Sequence, residues 1–593
     1  MNELCVRVVD ALLREDVREC VTRGVMSGAA ELPQSLASEF AADQRWLCVR
    51  HFGAGQLWIP VTAEIFMQPW RLTQLPLLWQ DAAGWRRLRV VADVLACFRN
   101  GLDEDGIQGF AVFERECAVA LEHGAATAAE RERWFDAWRA SLGTAMGTTL
   151  ATWQERQMHY DRLASFLDHP FYPTARAKVG FGVDDLASYG PEFRPELELR
   201  WLAVPRAWYC QRGDHLPPVW PEFHDVGLPR SLASSHALVP VHPFTWREFL
   251  DRALAEHGLA DQTIRAPRAY SSGTPTLSVR TLALCDAPDW HVKLPLAIRT
   301  LGAKNIRLIK PSTIADGHAV QRLLGEIVAR EPSLYGRVLL TDESTGAHVA
   351  NHNFLGFIVR RYPAHALAEA TPVPVAALGA RTPRGDTVIE ELAGRYFGGD
   401  SQALFDAYLD ITLALHLRLW VRYGVALESN QQNSVVVLSD SAPRLRLLLK
   451  DNDAARIQQS HLAARWPELA ALVAGLQDAR IGVSDELPLA QMFTTITLQL
   501  NIATLVQTLA RLEGAPPERF YKRVRLGIER VLQQLSAEGE ATQFARQVLL
   551  EDSQLYVKYL LIAATLADKR ITGASDVNKY YGRSAPNVLA DLP

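Results

Sequence analysis

The chain has 593 residues, of which 48% are apolar and 22% charged. This is the composition of an ordinary folded protein large enough for two to four packed subdomains, and it excludes disordered and fibrous classes. Its 62 basic and 67 acidic residues leave a net charge of −5, so no global field exists to hold nucleic acid or an anionic membrane, and any anion must be met by a local cluster.

The N-terminal run MNELCVRVVDALLREDVREC carries acidic residues throughout and reads as an amphipathic helix rather than a secretory signal, so a cytoplasmic protein is expected. Seven scattered cysteines show no CxxC or Cys/His ligand spacing, which fits a reducing compartment and argues against a zinc site or disulfide framework. Residues 1 to about 165 mix helical periodicity with strand-like runs at Trp46–His51 and Gln56–Val61. A Trp-rich charged pattern over Ala126–Leu163 predicts a long helix, so this region is expected to be mainly helical.

From about 166 to 375 the runs PELELRWLAVP, SHALVPVHP, PTLSVRTLAL, WHVKLPLAI and NFLGFIVRRYP, punctuated by Pro and Gly, predict an antiparallel or mixed sheet. From about 376 to 593 helices are predicted over Ser401–Tyr423, Leu462–Ala479, Leu487–Leu512, Glu518–Ala537 and Ala541–Ala567. One hairpin, Asn433–Leu438 with Leu445–Leu449, interrupts them. The stretch Leu487–Leu512 is broken by Gln491, Thr494, Gln499, Asn501 and Gln507, so no membrane span is expected. The fold class is α+β with several subdomains.

No Walker-type loop and no Rossmann glycine fingerprint follows a predicted strand, so a nucleotide would have to be met by side chains. The segment Ser278–Lys310 concentrates Arg280, Lys293, Arg299, Lys304, Arg307 and Lys310 against only Asp286 and Asp289. A hairpin turning near Asp286 and Ala287 sets Arg280 opposite Lys293, with Ser278 on the same face. Like charges facing each other across a sheet repel, and the arrangement makes sense when a phosphate lies between them. The alternative is a solvated sheet face.

A second group is the polar run Glu428, Asn430, Gln431, Gln432 and Asn433 before a buried-looking strand whose return partner ends at Asp451 and Asp453. Strand alternation puts both aspartates on one face, where hard oxygen ligands suit magnesium beside a triphosphate. The alternative is a polar turn with a capped strand end. In DHPFYPTARAKVGFG two prolines bracket a tight turn around His169, followed by Arg176 and Lys178. His169 taken alone, and His242 in LVPVHPFTW, read as structural.

These segments, in this order from about residue 165 onward, resemble the IucA/IucC family of NRPS-independent siderophore synthetases. The carriers are DHPFYPTARAKVGF, YGPEFRPELELRWLAV, VPVHPFTW, SVRTLAL with VKLPL, and ESNQQNSVVVL with LLLKDND. The resemblance implies a hand-like arrangement of helical N-terminal thumb (1–165), sheet-rich fingers (166–375) and largely helical palm (376–593) around an ATP cleft. It implies a homodimer and the adenylation of citrate or a related polycarboxylate, followed by condensation with an amine or alcohol.

Carried over residue by residue, the resemblance assigns His169, Arg176, Lys178, Ser278, Arg280, Lys293, Gln432 and Asn433 to ATP. It assigns Asp451, Asp453 and Glu428 to Mg2+. The substrate carboxylate falls to Thr300, Lys304 or Arg307, Asn430 and Lys558, and Arg280, Lys293 and Asn430 form the catalytic group. This chain has Tyr172 where the family has a second HP histidine, and Arg176 and Lys178 stand in reversed order. It has Asn430 where a histidine is usual, and an asparagine cannot shuttle a proton near neutral pH.

Two other classes compete. A kinase-like phosphotransferase lacks a His-Arg-Asp or His-Gly-Asp before Asn433. A non-enzymatic siderophore- or iron-binding protein lacks Cys and His ligand clusters.

Overall fold

A computed structural model describes residues 2–142, 150–567 and 580–590. Residues 143–149 of the predicted Ala126–Leu163 helix, and 568–579 and 591–593 of the C-terminal region, lie outside the described residues. The N-terminal region opens with the helix Asn2–Arg14 and then builds a six-stranded antiparallel sheet. Two of its strands, Arg45–Phe52 and Gly55–Ala63, extend the runs that alternation marked; the other four span three to five residues each and carry no periodicity of their own. Helices Val91–Arg99 and Glu104–Leu142 cover the sheet, and Thr152 and Glu155 form a capping box that starts the helix Trp153–Ser165.

The middle of the chain forms a seven-stranded antiparallel sheet. Its order is Leu197–Glu198, Ser272–Pro275, Thr281–Leu284, Trp290–Lys293, Gly356–Arg361, Asp342–Val349, Tyr209–Arg212. The register between the third and fourth strands differs by one residue from the sequence expectation. Thr281 faces Lys293, and Arg280 faces Leu294, whose N–H donates to the Arg280 carbonyl at 2.9 Å. The cause lies just upstream, where Val279 adopts φ 66°, a left-handed conformation that β-branched residues rarely take. The strand therefore begins at Thr281, and Ser278 and Arg280 leave its alternation. Strain of this kind is retained where neighbouring structure enforces it.

The C-terminal region centres on the helix Ser401–Tyr423, buried around most of its circumference. Asp400 caps its start by accepting the Ala403 N–H at 2.9 Å, and Gly424 ends it at φ 65°. The hairpin Ser434–Leu438 with Leu445–Leu449 forms the middle of a four-stranded sheet completed by Thr371–Pro374 and, in parallel, Val338–Leu340. Leu487–Glu513 is long and apolar enough to cross a membrane, but 89% of its apolar window is buried inside the protein, and its central segment Phe493–Ala503 is a π-helix.

Two predicted helices are corrected. Leu462–Ala479 is two short helices, Gln459–Arg465 and Pro467–Leu472, because Pro467 cannot continue the first. Ala541–Ala567 is helical at Gln543–Glu551 and again at Ile562–Leu566, and between them Gln554–Lys558 is a strand paired with Tyr581–Pro586. Leu555 and Val557 are buried, the period-2 pattern of a strand. The segment Ile562–Leu566 that follows is wedged tightly: a Cβ on Gly109 would meet the Leu566 carbonyl at 2.1 Å, and one on Gly302 would meet Ala564 at 2.3 Å. Leu561 and Leu566 thereby join the N-terminal core of Val8, Leu12, Leu57 and Phe113.

Candidate active site

Lys293 ends a central-sheet strand, and Asp451 follows the C-terminal hairpin; the two meet at 2.6 Å (Nζ to Oδ1), with Asp453 Oδ2 at 3.4 Å from the same ammonium. The hairpin strand stops at Leu449, Asp451 sits at φ 56°, and a short turn over Asn452–Ala454 follows. The two aspartates therefore converge through a left-handed turn rather than through strand alternation, as the sequence had suggested. Aspartate tolerates that conformation better than most residues.

Two residues that sequence reasoning missed complete the centre. Arg360, in the strand beside Lys293, places Nη2 2.7 Å from Asp451 Oδ1 and Nε 2.7 Å from Glu343 Oε1. Glu343 lies at an irregularity in the pairing of Asp342–Val349 with Gly356–Arg361, which re-aims its side chain. Its carboxylate also accepts the Asp451 N–H at 2.9 Å and the Thr341 hydroxyl at 2.9 Å. Burial alone would raise the Asp451 carboxyl, but Arg360 and Lys293 overcome it and hold the group well below the usual carboxylate range. Burial likewise works against the Lys293 ammonium, and Asp451 and Asp453 outweigh it, so its pKa lies above the ordinary lysine value.

Arg280 reaches the same place. Its Nη1 donates to the Leu308 carbonyl at 2.7 Å, and its charge is felt by Lys293, Asp451 and Asp453. Beside it stands Arg307, whose side chain has no ion pair or hydrogen bond among the described residues. Burial and the neighbouring Arg280 push Arg307 down to about 10. Lys450 is also buried, next to Asp451. On the far side, Lys558 Nζ lies 3.5 Å from Glu428 Oε1.

Among the described residues the cluster brings together six cations, Arg280, Lys293, Arg307, Arg360, Lys450 and Lys558, and four carboxylates, Glu343, Glu428, Asp451 and Asp453, while the adjoining Arg480 is matched by its own partner Asp478. Positive charge out of bulk water is costly unless an anion compensates it.

His169 lies at the edge of this field. Its Nδ1 accepts the N–H groups of Tyr172 at 2.9 Å and Phe171 at 3.2 Å, which leaves the proton of the neutral ring on Nε2. Burial, then the charges of Arg7, Lys558, Arg14 and Arg307, lowers its pKa to about 3, so it is a neutral donor at physiological pH. Among the described residues the buried Thr300 hydroxyl has no hydrogen-bond partner. Ser278 donates to the Thr281 hydroxyl at 2.7 Å.

The polar run forms a turn organised by Asn430. Its Oδ1 accepts the N–H groups of Gln432 at 3.0 Å and Asn433 at 3.1 Å, an Asx turn that fixes the two nucleotide candidates. Asn433 Nδ2 in turn donates to the Glu428 carbonyl at 3.2 Å.

Three predicted residues are placed elsewhere. Arg176 is held by Asp168 at 2.7 Å and by the Ser165 and Phe166 carbonyls, and Lys178 by Glu192 at 2.6 Å. Their charges are already compensated, and their partners are not those of the cluster. Lys304 spends its ammonium on the carbonyls of Ala563 and Ala567, so of the pair Lys304 and Arg307 it is Arg307 that faces the cluster. Glu428 pairs with Lys558 and does not join the aspartates; among the described residues no three His, Cys, Asp or Glu side chains form a metal cage. Two aspartates nonetheless fit magnesium, which usually takes one or two carboxylates and completes its shell with water and substrate phosphates.

The model of the IucA / IucC family matches residues 158–380, and that of the ferric iron reductase FhuF-like transporter family matches residues 402–572. Uncharacterized protein y4xN of Sinorhizobium fredii is 29% identical over 367 residues, 54% of this chain and 56% of that protein. Staphyloferrin B synthase of Staphylococcus aureus is 22% identical over 455 residues, 73% of this chain and 75% of that protein. The match thus spans between about half and three quarters of these relatives. The solved structure of ATP-bound aerobactin synthetase IucA from a hypervirulent pathotype of Klebsiella pneumoniae superposes with a TM-score of 0.71 at 18% identity, covering 100% of both chains. The chain therefore carries the sequence pattern of the IucA / IucC family over residues 158–380 and, over its whole length, the fold of the solved aerobactin synthetase IucA.

Proposed function

We propose that the protein is an ATP-dependent ligase of siderophore biosynthesis that adenylates a polycarboxylate of the citrate type and joins it to an amine or alcohol. The observation that carries this reading is the excess of cations over carboxylates where the central sheet meets the C-terminal hairpin. A triphosphate and a polycarboxylate are the ligands such a site suits. Relatives named as synthases and ligases acting on citrate-derived substrates support the reaction class.

In this mechanism Arg280, Lys293 and the His169 Nε2–H contact the phosphates, and the Asn430 turn presents Gln432 and Asn433 to the nucleotide. Asp451 and Asp453 are the residues to hold Mg2+, which supplies compensation for phosphate charge. Arg307, the Thr300 hydroxyl and Lys558 hold the acid with one carboxylate oxygen toward the α-phosphorus. That oxygen attacks, the bond to the β-phosphate oxygen breaks, and its electron pair departs with pyrophosphate. The amine or alcohol then attacks the acyl carbon and expels AMP, losing its proton. Negative charge that builds on the phosphoryl oxygens meets fixed cations already in place, so little reorganisation is needed. Asn430 enters as the organiser of the turn, since its amide cannot take up a proton.

Incubation with ATP, Mg2+ and a panel of di- and tricarboxylates tests the reading: pyrophosphate and AMP are expected with an amine or alcohol present. ADP would mean phosphoryl transfer, and no turnover across the panel would mean a binding protein. Lys558→Ala is expected to raise the Michaelis constant for the carboxylate about tenfold, the scale of one charge-assisted hydrogen bond, with that for ATP little changed. Steady-state titration of both substrates reads this directly, and an unchanged carboxylate constant removes Lys558 from the pocket.

A further inference from the structure

The two arms of the site rest on one buried helix. Phe493–Ala503 is a π-helix of 11 residues, all buried, and helices of this type are rare and frequently lie at functional sites. Its sequence FTTITLQLNIA places Gln499 and Asn501 at 0% exposure, along with the buried threonines Thr494, Thr495 and Thr497, in a core that is mostly apolar. Polar amides are kept in such places only where their hydrogen bonds matter. Gln499 Nε2 donates to the Tyr556 carbonyl at 2.7 Å, in the strand that carries Lys558. Asn501 Nδ2 donates to the Ser429 carbonyl, between Glu428 and Asn430. Two positions apart on a helix, the side chains face different directions, and each reaches a different arm. Among the described residues the Oε1 of Gln499 and the Oδ1 of Asn501 have no partner, so each amide is engaged there as a donor.

We propose that Asn501 and Gln499 are positioning residues that set the nucleotide turn and the carboxylate strand separately. This rests on the adenylation reading of the site. Neither amide touches substrate: Asn501 acts through Ser429 on the Asn430 turn, and Gln499 acts through Tyr556 on Lys558. The π-helix holds the two contacts at a fixed spacing, so the distance between bound nucleotide and bound acid is built into the core.

The test uses the full chain and the apolar near-isosteres Asn501→Leu and Gln499→Leu, with Michaelis constants measured for ATP and for the carboxylate in each. Asn501→Leu is expected to raise the constant for ATP about tenfold and leave that for the carboxylate within about twofold; Gln499→Leu is expected to do the reverse. Equal rises in both constants in each variant, or no change in either, overturn the proposal. Should a leucine variant fail to fold, Asn501→Ser and Gln499→Ser carry the same comparison, and loss of the fold in all four makes the bonds merely structural and overturns it too. A wild-type protein that releases no pyrophosphate with any carboxylate refutes the adenylation reading instead, an outcome distinct from an active wild type with indifferent variants.

Discussion

Arg280→Ala is expected to lower ATP-dependent pyrophosphate release by about 10²- to 10³-fold while the protein stays folded, the range seen when one preorganised donor to a transition-state charge is removed. The fold should tolerate the change because, among the described residues, the guanidinium makes no ion pair and donates instead to the Leu308 carbonyl, on a partly exposed segment. Removing it relieves repulsion on Arg307, which sits beside it already lowered to about 10. Initial-rate assays with circular dichroism as the folding control check this. Full activity would take Arg280 out of the phosphate site.

Asp451→Asn is expected to cost both activity and stability, and that combination distinguishes it. The carboxylate is the shared partner of Lys293 at 2.6 Å and Arg360 at 2.7 Å, and breaking a buried pair by removing one side costs about 3–5 kcal/mol because the other charges remain. Lys293→Ala should destabilise for the same reason, so of the two basic residues the sequence singled out, only Arg280 cleanly separates chemistry from folding. The pH dependence follows from the same geometry. The Asp451 carboxyl ionises more readily folded than unfolded, so its contribution is complete above the unfolded value near ~3.9 and is lost as pH falls toward the depressed folded value. Wild-type melting temperature should therefore fall on acidification below about pH 4, and Asp451→Asn should flatten that fall. An Asn variant as stable and as acid-sensitive as wild type would contradict the ion-pair core.

What the sequence disclosed and what it concealed follow a physical division. The helices Ser401–Tyr423 and Glu518–Ala537 run between the residues expected, because capping and periodicity are local properties. The hairpin around Ser434–Leu438 and the clustering of Arg280 and Lys293 were legible for the same reason. The short strands of the N-terminal sheet were not, since a three-residue strand such as Trp70–Leu72 is stabilised by its neighbours and not by its own pattern.

Charge compensation was the other hidden quantity. Arg176 and Lys178 looked available until Asp168 and Glu192 were found against them, and Arg360, which the sequence reading passed over, is paired with Glu343 and Asp451. Strand alternation could have flagged Arg360, for it is buried while Arg361 next to it is exposed. The one-residue register difference at Arg280 had no sequence signal, because it arises from the left-handed Val279.

The most direct measurement is a crystal structure of the protein with a non-hydrolysable ATP analogue and Mg2+. The account predicts a triphosphate lying between Arg280 and Lys293 on the central sheet and the metal held by Asp451 and Asp453 on the C-terminal hairpin, with Arg307 within reach of the bound anions. Nucleotide bound away from these residues, with the Lys293–Asp451 contact undisturbed and remote from it, would contradict it.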